Sequence, residues 1–133
     1  KMDFLDKVSA RPNYSIGFWK GPGKFSFCIG KYSIRVDIYF NNDADKVYFD
    51  SMYKYHEEIN RDLDNLVIWE RLDNKKASRI KYEMPLEQFK NIFGMFSDKS
   101  NWEEWIFWYT DSMDKFYKKV MPIWEKVQKD LSK

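Results

Sequence analysis

Between Tyr14 and Phe40 apolar residues recur at every second position, and only an extended strand brings such residues to one face. Tyr14, Ile16 and Phe18 alternate with Ser15, Gly17 and Trp19. Phe25, Phe27 and Ile29 alternate with Ser26 and Cys28, and Ile34, Val36, Ile38 and Phe40 alternate with Arg35, Asp37 and Tyr39. Gly21-Pro22-Gly23 is a strong turn signal, and Gly30-Lys31 offers a second. Three runs joined by short turns predict an antiparallel meander.

The period then changes. Asn41-Asn42-Asp43 offers a helix N-cap, and Tyr48, Met52, Tyr55, Ile59 and Leu63 follow at helical spacing. They predict one amphipathic helix of about five turns. Residues 66–72 and 78–84 predict a second hairpin around Asp73-Asn74-Lys75-Lys76-Ala77, closed by Pro85. Phe89, Ile92, Phe93 and Phe96 predict a short helix over residues 86–96, weakened by Gly94. Ser100 with Glu103, or Asn101 with Glu104, makes a capping box for a last helix of about 30 residues. Its apolar stripe runs from Trp102 through Tyr109, Phe116, Val120 and Trp124 to Leu131. Pro122 lacks a backbone donor and clashes one turn back, which predicts a kink or break near Lys118. Phe4, Leu5 and Val8 predict a further short helix over residues 2–10. The order α-βββ-α-ββ-α-α reads as a single α+β domain over residues 1–133. Its sheet is mostly antiparallel and about five-stranded, with helices on one face.

Composition excludes several function classes. Among 133 residues, 23 basic side chains face 21 acidic ones, so a net charge of +2 demands no polyanion. One cysteine, Cys28, and one histidine, His56, rule out an internal disulfide and a cysteine- or histidine-rich metal site. No apolar run approaches the roughly 18 residues of a membrane span. The single thiol and the lack of a charged-then-apolar leader point to a reducing, cytoplasmic setting. No glycine-rich phosphate loop is present, and no cofactor is expected. The unusual figure is 20% aromatic residues, enough to fill a core and leave a few rings outside as stacking platforms or interface anchors.

Charge concentrates in the second hairpin. From Arg71 to Tyr82, five basic residues (Arg71, Lys75, Lys76, Arg79, Lys81) face one acid, Asp73, a net of +4. Its alternation also conflicts with itself. With Leu66, Ile68 and Leu72 inward, Glu70 turns inward too, and Trp69 and Arg71 face out. The other register buries Val67 and Trp69 but also Arg71. Either way a charge approaches the core, which is costly unless paired. A Glu70–Arg79 or Glu70–Arg35 ion pair across strands would resolve the conflict.

The run Trp69-Glu70-Arg71-Leu72, followed by Asn74-Lys75-Lys76-Ala77-Ser78-Arg79-Ile80, resembles the signature of the bacterial and archaeal domain-of-unknown-function family 4268. Ile34-Arg35-Val36-Asp37-Ile38-Tyr39 and the Trp102…Trp105 helix opening fit the same family, and the resemblance covers roughly residues 14–120. The family carries no agreed activity. Some of its members follow a restriction-endonuclease-like domain, which implies an accessory role in defence or DNA processing.

Nucleic-acid binding fits these residues best. In the first register the uncovered face would carry Trp19, Arg35, Tyr39, Trp69, Arg71, Arg79 and Lys81, with Lys75 and Lys76 on the turn. Arginines and aromatics together hold phosphates and stack bases. The alternative is a protein-docking or homodimerisation module, because tryptophan, tyrosine and arginine also dominate protein interfaces. A third reading is a metal-dependent nuclease using Asp37 and Glu70 with Lys75 or Lys81. Against it, Leu72 stands where the nuclease strand motif wants lysine, and Asp37 is expected on the face opposite Glu70. Cys28 and His56 offer no nucleophile–base pair.

Overall fold

In a computed structural model, residues 14–29, 34–83 and 102–133 are described. The predicted meander forms from β1 (Tyr14–Lys20), β2 (Gly23–Ile29) and β3 (Ile34–Phe40). Helices α1 (Val47–Tyr53) and α2 (His56–Asp62) follow, then strands β4 (Val67–Glu70) and β5 (Ser78–Glu83), then helix α3 (Trp102–Leu131). The five strands form one antiparallel sheet in the order β1-β2-β3-β5-β4. The domain is α+β, with the long C-terminal helix packed on the sheet. The helices expected over residues 2–10 and 86–96 lie outside the described residues.

Alternation puts Phe25, Val36, Ile38, Phe40, Ile80 and Tyr82 on the face that the helices cover. From the helices, Phe49, Met52, Ile59, Leu63, Phe116, Val120, Met121, Trp124 and Val127 complete the core. Trp124 is fully buried and packs against the rings of Phe40 and Tyr48 at 5.0 and 5.7 Å. Its Nε1 donates to Lys20 O at 2.8 Å, so the indole is both packed and hydrogen-bonded. Gly23 lies beneath it, where a Cβ would stand 3.1 Å from Trp124, Phe40 and Ile38.

Three expectations need correction. The single five-turn helix is two, broken at Lys54 and Tyr55. There Tyr55 N bonds back three residues to Met52 O, while the His56 ring donates through Nδ1 to Tyr53 O and stacks on Tyr53 at 3.9 Å. The last helix runs as one element through Lys118 and Pro122, so no break occurs there, and Leu131 at its end is exposed rather than part of the core stripe. The second hairpin takes the other register. Val67 and Trp69 stand opposite Tyr82 and Ile80 on the helix-covered face, whereas Ile68 and Glu70 stand opposite Lys81 and Arg79 on the far face. Arg71 escapes burial because β4 ends at Glu70 and the chain turns through Leu72 at φ 53°.

Trp124→Ala is expected to cost about 3–5 kcal/mol, as deleting a buried aromatic generally does. Leu131→Ala is expected to stay within about 0.5 kcal/mol. Urea unfolding followed by circular dichroism measures both.

Candidate functional site

The loop of residues 71–77 takes its shape from two buried charges on the segment before α1. Lys46 is only 3% exposed, and its ammonium donates to Leu72 O, Lys75 O and Ala77 O at 2.9, 2.8 and 2.6 Å. An ammonium has three protons, so these three carbonyls satisfy it fully. Asp43, also buried, accepts from Tyr48 N, Phe49 N and Ser78 Oγ, and its own N–H donates to Lys76 O. The expected cap therefore exists, but Asp43 delivers it across an intervening turn, with Lys46 itself at the N-cap position at φ 61°. The loop thus contributes its backbone carbonyls and the Ser78 hydroxyl to this joint, not the side-chain charges of its lysines.

Arg71 is occupied as well. Its guanidinium forks onto Asp50 at 2.9 and 3.0 Å and contacts Asp73. These carboxylates push its already high pKa further up, and Arg71 in turn holds Asp50 below the usual carboxylate range. Lys75 and Lys76 are exposed on the turn.

The far face carries a second set of charges. Arg35 Nε donates to Asp37 Oδ2 at 3.1 Å, and Arg79 Nη1 reaches Glu70 at 3.0 Å. Lys81 bridges Glu70 at 3.2 Å and Glu83 at 3.0 Å. Three cations thus meet three anions. Asp37 is 2% exposed, its Oδ2 is 3.7 Å from Arg79 Nε, and among the described residues both Asp37 Oδ1 and Arg79 Nε lack a hydrogen-bond partner. Burial pushes the Asp37 carboxyl above its ordinary value, and Arg35 and Arg79 pull it only part of the way back. Burial works in the same direction on Glu70, but Lys81 and Arg79 outweigh it and hold that carboxyl low.

Asp37 and Glu70 share a face, contrary to expectation, yet Arg79 stands between them. Among the described residues no group of three or more histidine, cysteine or acidic side chains could hold a metal ion. Trp69 also departs from expectation. It lies on the helix side, where its Nε1 donates to Asn60 Oδ1 at 2.8 Å and its ring meets Tyr53 and Phe49 edge-on. That removes it from the candidate binding face.

A feature that residue spacing alone did not reveal runs across the far face. In register, Trp19 is opposite Lys24, Lys24 opposite Tyr39, and Tyr39 opposite Arg79. The result is one transverse row of aromatic, cation, aromatic and cation over four strands. Lys24 Nζ lies 5.8 Å from the Trp19 ring centroid, and the Arg79 guanidinium 5.2 Å from that of Tyr39. Trp19 is 50% exposed, and the other three are partly exposed. Lys24 was missed because it sits beside a turn, where a lysine carries no pattern; only the strand register aligns it.

The family described as a domain of unknown function, DUF4268, matches residues 7–123. The chain belongs to this family. No curated protein and no solved structure matches it. The residues that carried the resemblance have clear structural work in this DUF4268 domain: the carbonyls of Leu72, Lys75, Lys76 and Ala77 and the hydroxyl of Ser78 all serve Lys46 or Asp43.

Lys46→Met is expected to destabilise the DUF4268 fold by about 3 kcal/mol or more, since it removes the donor shared by the Leu72, Lys75 and Ala77 carbonyls, the last of them buried. Lys46→Gly, which suits the positive φ, is expected not to recover that loss; urea midpoints compare the two. Asp37→Asn keeps an acceptor for Arg35 and is expected to stabilise the domain at neutral pH. The sign follows from linkage: a folded-state pKa above the unfolded value, about 3.9, penalises the folded state once pH rises through it. The gain is therefore expected to disappear toward about pH 3, where the wild-type carboxyl is protonated in both states. Urea titrations across that range measure it.

Proposed function

We propose that this DUF4268 domain is a non-catalytic nucleic-acid-binding module, an accessory of a bacterial defence or DNA-processing system. The observation that carries the reading is the row Trp19, Lys24, Tyr39 and Arg79 on the face away from the helices. Cations beside exposed rings are the combination that engages phosphates and bases together. Lys75 and Lys76 support it, because their loop leads into β5 next to Arg79, at the same end of the sheet. They supply sequence-independent phosphate contacts. In this reading Arg71 shapes the loop, and Arg35 and Lys81 hold the acidic residues beside the row.

The alternative, a protein-docking module, draws on exposed Phe18 and Trp19 at the tip of the β1–β2 hairpin. Large apolar side chains with adjacent cations also anchor protein partners, a homodimer included.

Fluorescence anisotropy with labelled DNA and RNA at low and moderate salt separates the two. Salt-sensitive binding is expected, weakened about tenfold or more in Lys24→Ala/Arg79→Ala, with the salt slope reduced by about two. Lys24→Ala alone, at a partly exposed side chain outside the ion-pair network, is expected to show about half of that slope change. Arg71→Ala is expected to change little. Absence of binding at low salt up to high micromolar protein overturns the proposal in favour of a protein partner.

A further inference from the structure

We infer that the nucleic acid taken by this face is single-stranded and lies across the strands, with bases on Trp19 and Tyr39 and phosphates at Lys24 and Arg79. The inference rests on the nucleic-acid reading above and narrows it to one ligand class.

Three observations lead there. The first is the kind of surface the row offers. Lys24 lies over the Trp19 ring at 5.8 Å and Arg79 over the Tyr39 ring at 5.2 Å, so each ring turns a face along the row with a cation beside it. A ring face is useful only to a base whose own face is uncovered. In a duplex each base is covered by its neighbours and offers only its edges in the grooves. Two aromatic platforms therefore add to the binding of an unpaired strand and nothing to that of a duplex.

The second is charge density. Neighbouring strands are about 4.8 Å apart, so a row over four strands is about 14 Å long. A duplex carries one phosphate charge per about 1.7 Å, on the order of eight over that length. The row offers two cations, Lys24 and Arg79. Two cations are a poor match for a duplex and a reasonable one for a short stretch of single strand, where stacking supplies the rest of the affinity.

The third is how the row ends. Glu70 stands directly opposite Arg79 in the register and is bonded to it at 3.0 Å. A carboxylate at that position repels a phosphate and competes for the guanidinium. It marks β5 as the boundary of the bound strand and keeps the terminal cation partly neutralised. Lys81 shares Glu70 at 3.2 Å but keeps Glu83 at 3.0 Å, so neutralising Glu70 releases chiefly the Arg79 guanidinium.

The test is anisotropy with a labelled oligothymidine of about 12 nucleotides, its RNA counterpart, and a mixed-sequence duplex of the same length, within the usual footprint of such platforms. Preference for the single strand over the duplex of about tenfold or more is expected. Trp19→Ala and Tyr39→Ala are each expected to weaken single-strand binding about tenfold and leave duplex binding unchanged, while Trp19→Phe retains most of it. Glu70→Gln is expected to tighten single-strand binding and steepen its salt dependence. Thermal unfolding of each variant identifies any that fail to fold; Trp19→Phe and Glu70→Gln then carry the test. Equal affinity for duplex and single strand, or single-strand binding indifferent to Trp19 and Tyr39, overturns this inference while Lys24-dependent binding keeps the broader reading. No binding to any probe overturns both.

Discussion

A lysine ammonium buried against three carbonyls is the interaction on which the informative half of this molecule depends. Unpaired, a charge at 3% exposure would be prohibitively expensive. Lys46 is tolerated because Leu72, Lys75 and Ala77 aim their carbonyls at it, and those carbonyls in turn have no ladder or helix to satisfy them. Asp43 completes the arrangement from three residues upstream, joining the start of α1 to the start of β5 through Ser78. The direction in which β5 leaves the loop, and so the position of Arg79 in the row, follows from this polar joint.

Electrostatics on the far face follow a different rule. There the ion-paired charges are balanced rather than individually enclosed, three against three with Lys24 beside them, and the two inner carboxylates are driven in opposite directions by their surroundings. Asp37 is too deeply buried for its arginines to compensate, whereas Glu70 keeps enough solvent and enough cations to remain ionised with ease. Arg79 touches both and also lies over the Tyr39 ring. The face is close to neutral in sum but strongly ordered in position, so any specificity it has comes from the arrangement of groups and not from a general field.

The parts of this fold that were legible in the sequence are those governed by period. Alternation from Tyr14 to Phe40 located three strands, and the stripe from Trp102 to Leu131 located the last helix. The helix break at Lys54–Tyr55 was hidden because Tyr55 and Ile59 keep helical spacing straight through it, and the competing contact comes from the His56 ring. The β4 register was ambiguous because four residues, Val67 to Glu70, hold too few apolar positions to choose a face. What decided it was Trp69, whose indole finds both an aromatic pocket and a hydrogen-bond acceptor on the helix side. Of the candidate site, Trp19, Tyr39 and Arg79 were legible, and Lys24 and the alignment of the four were not. It depends on pairing between strands, which no single segment encodes.

The polar joint also bears on how the signature loop comes to exist. Most of its stabilising contacts join residues 43–46 to residues 72–78, about thirty positions apart, while within the loop Lys75 N bonds to Leu72 O and Arg71 contacts Asp73. The β4–β5 hairpin is thus not a self-contained local unit that forms early and waits for partners. It is cast in a mould supplied by the chain before α1, and its loop closes only when that mould is in position. The signature is portable only together with its mould: transferred to another hairpin without Asp43 and Lys46, the same residues would be a flexible basic loop.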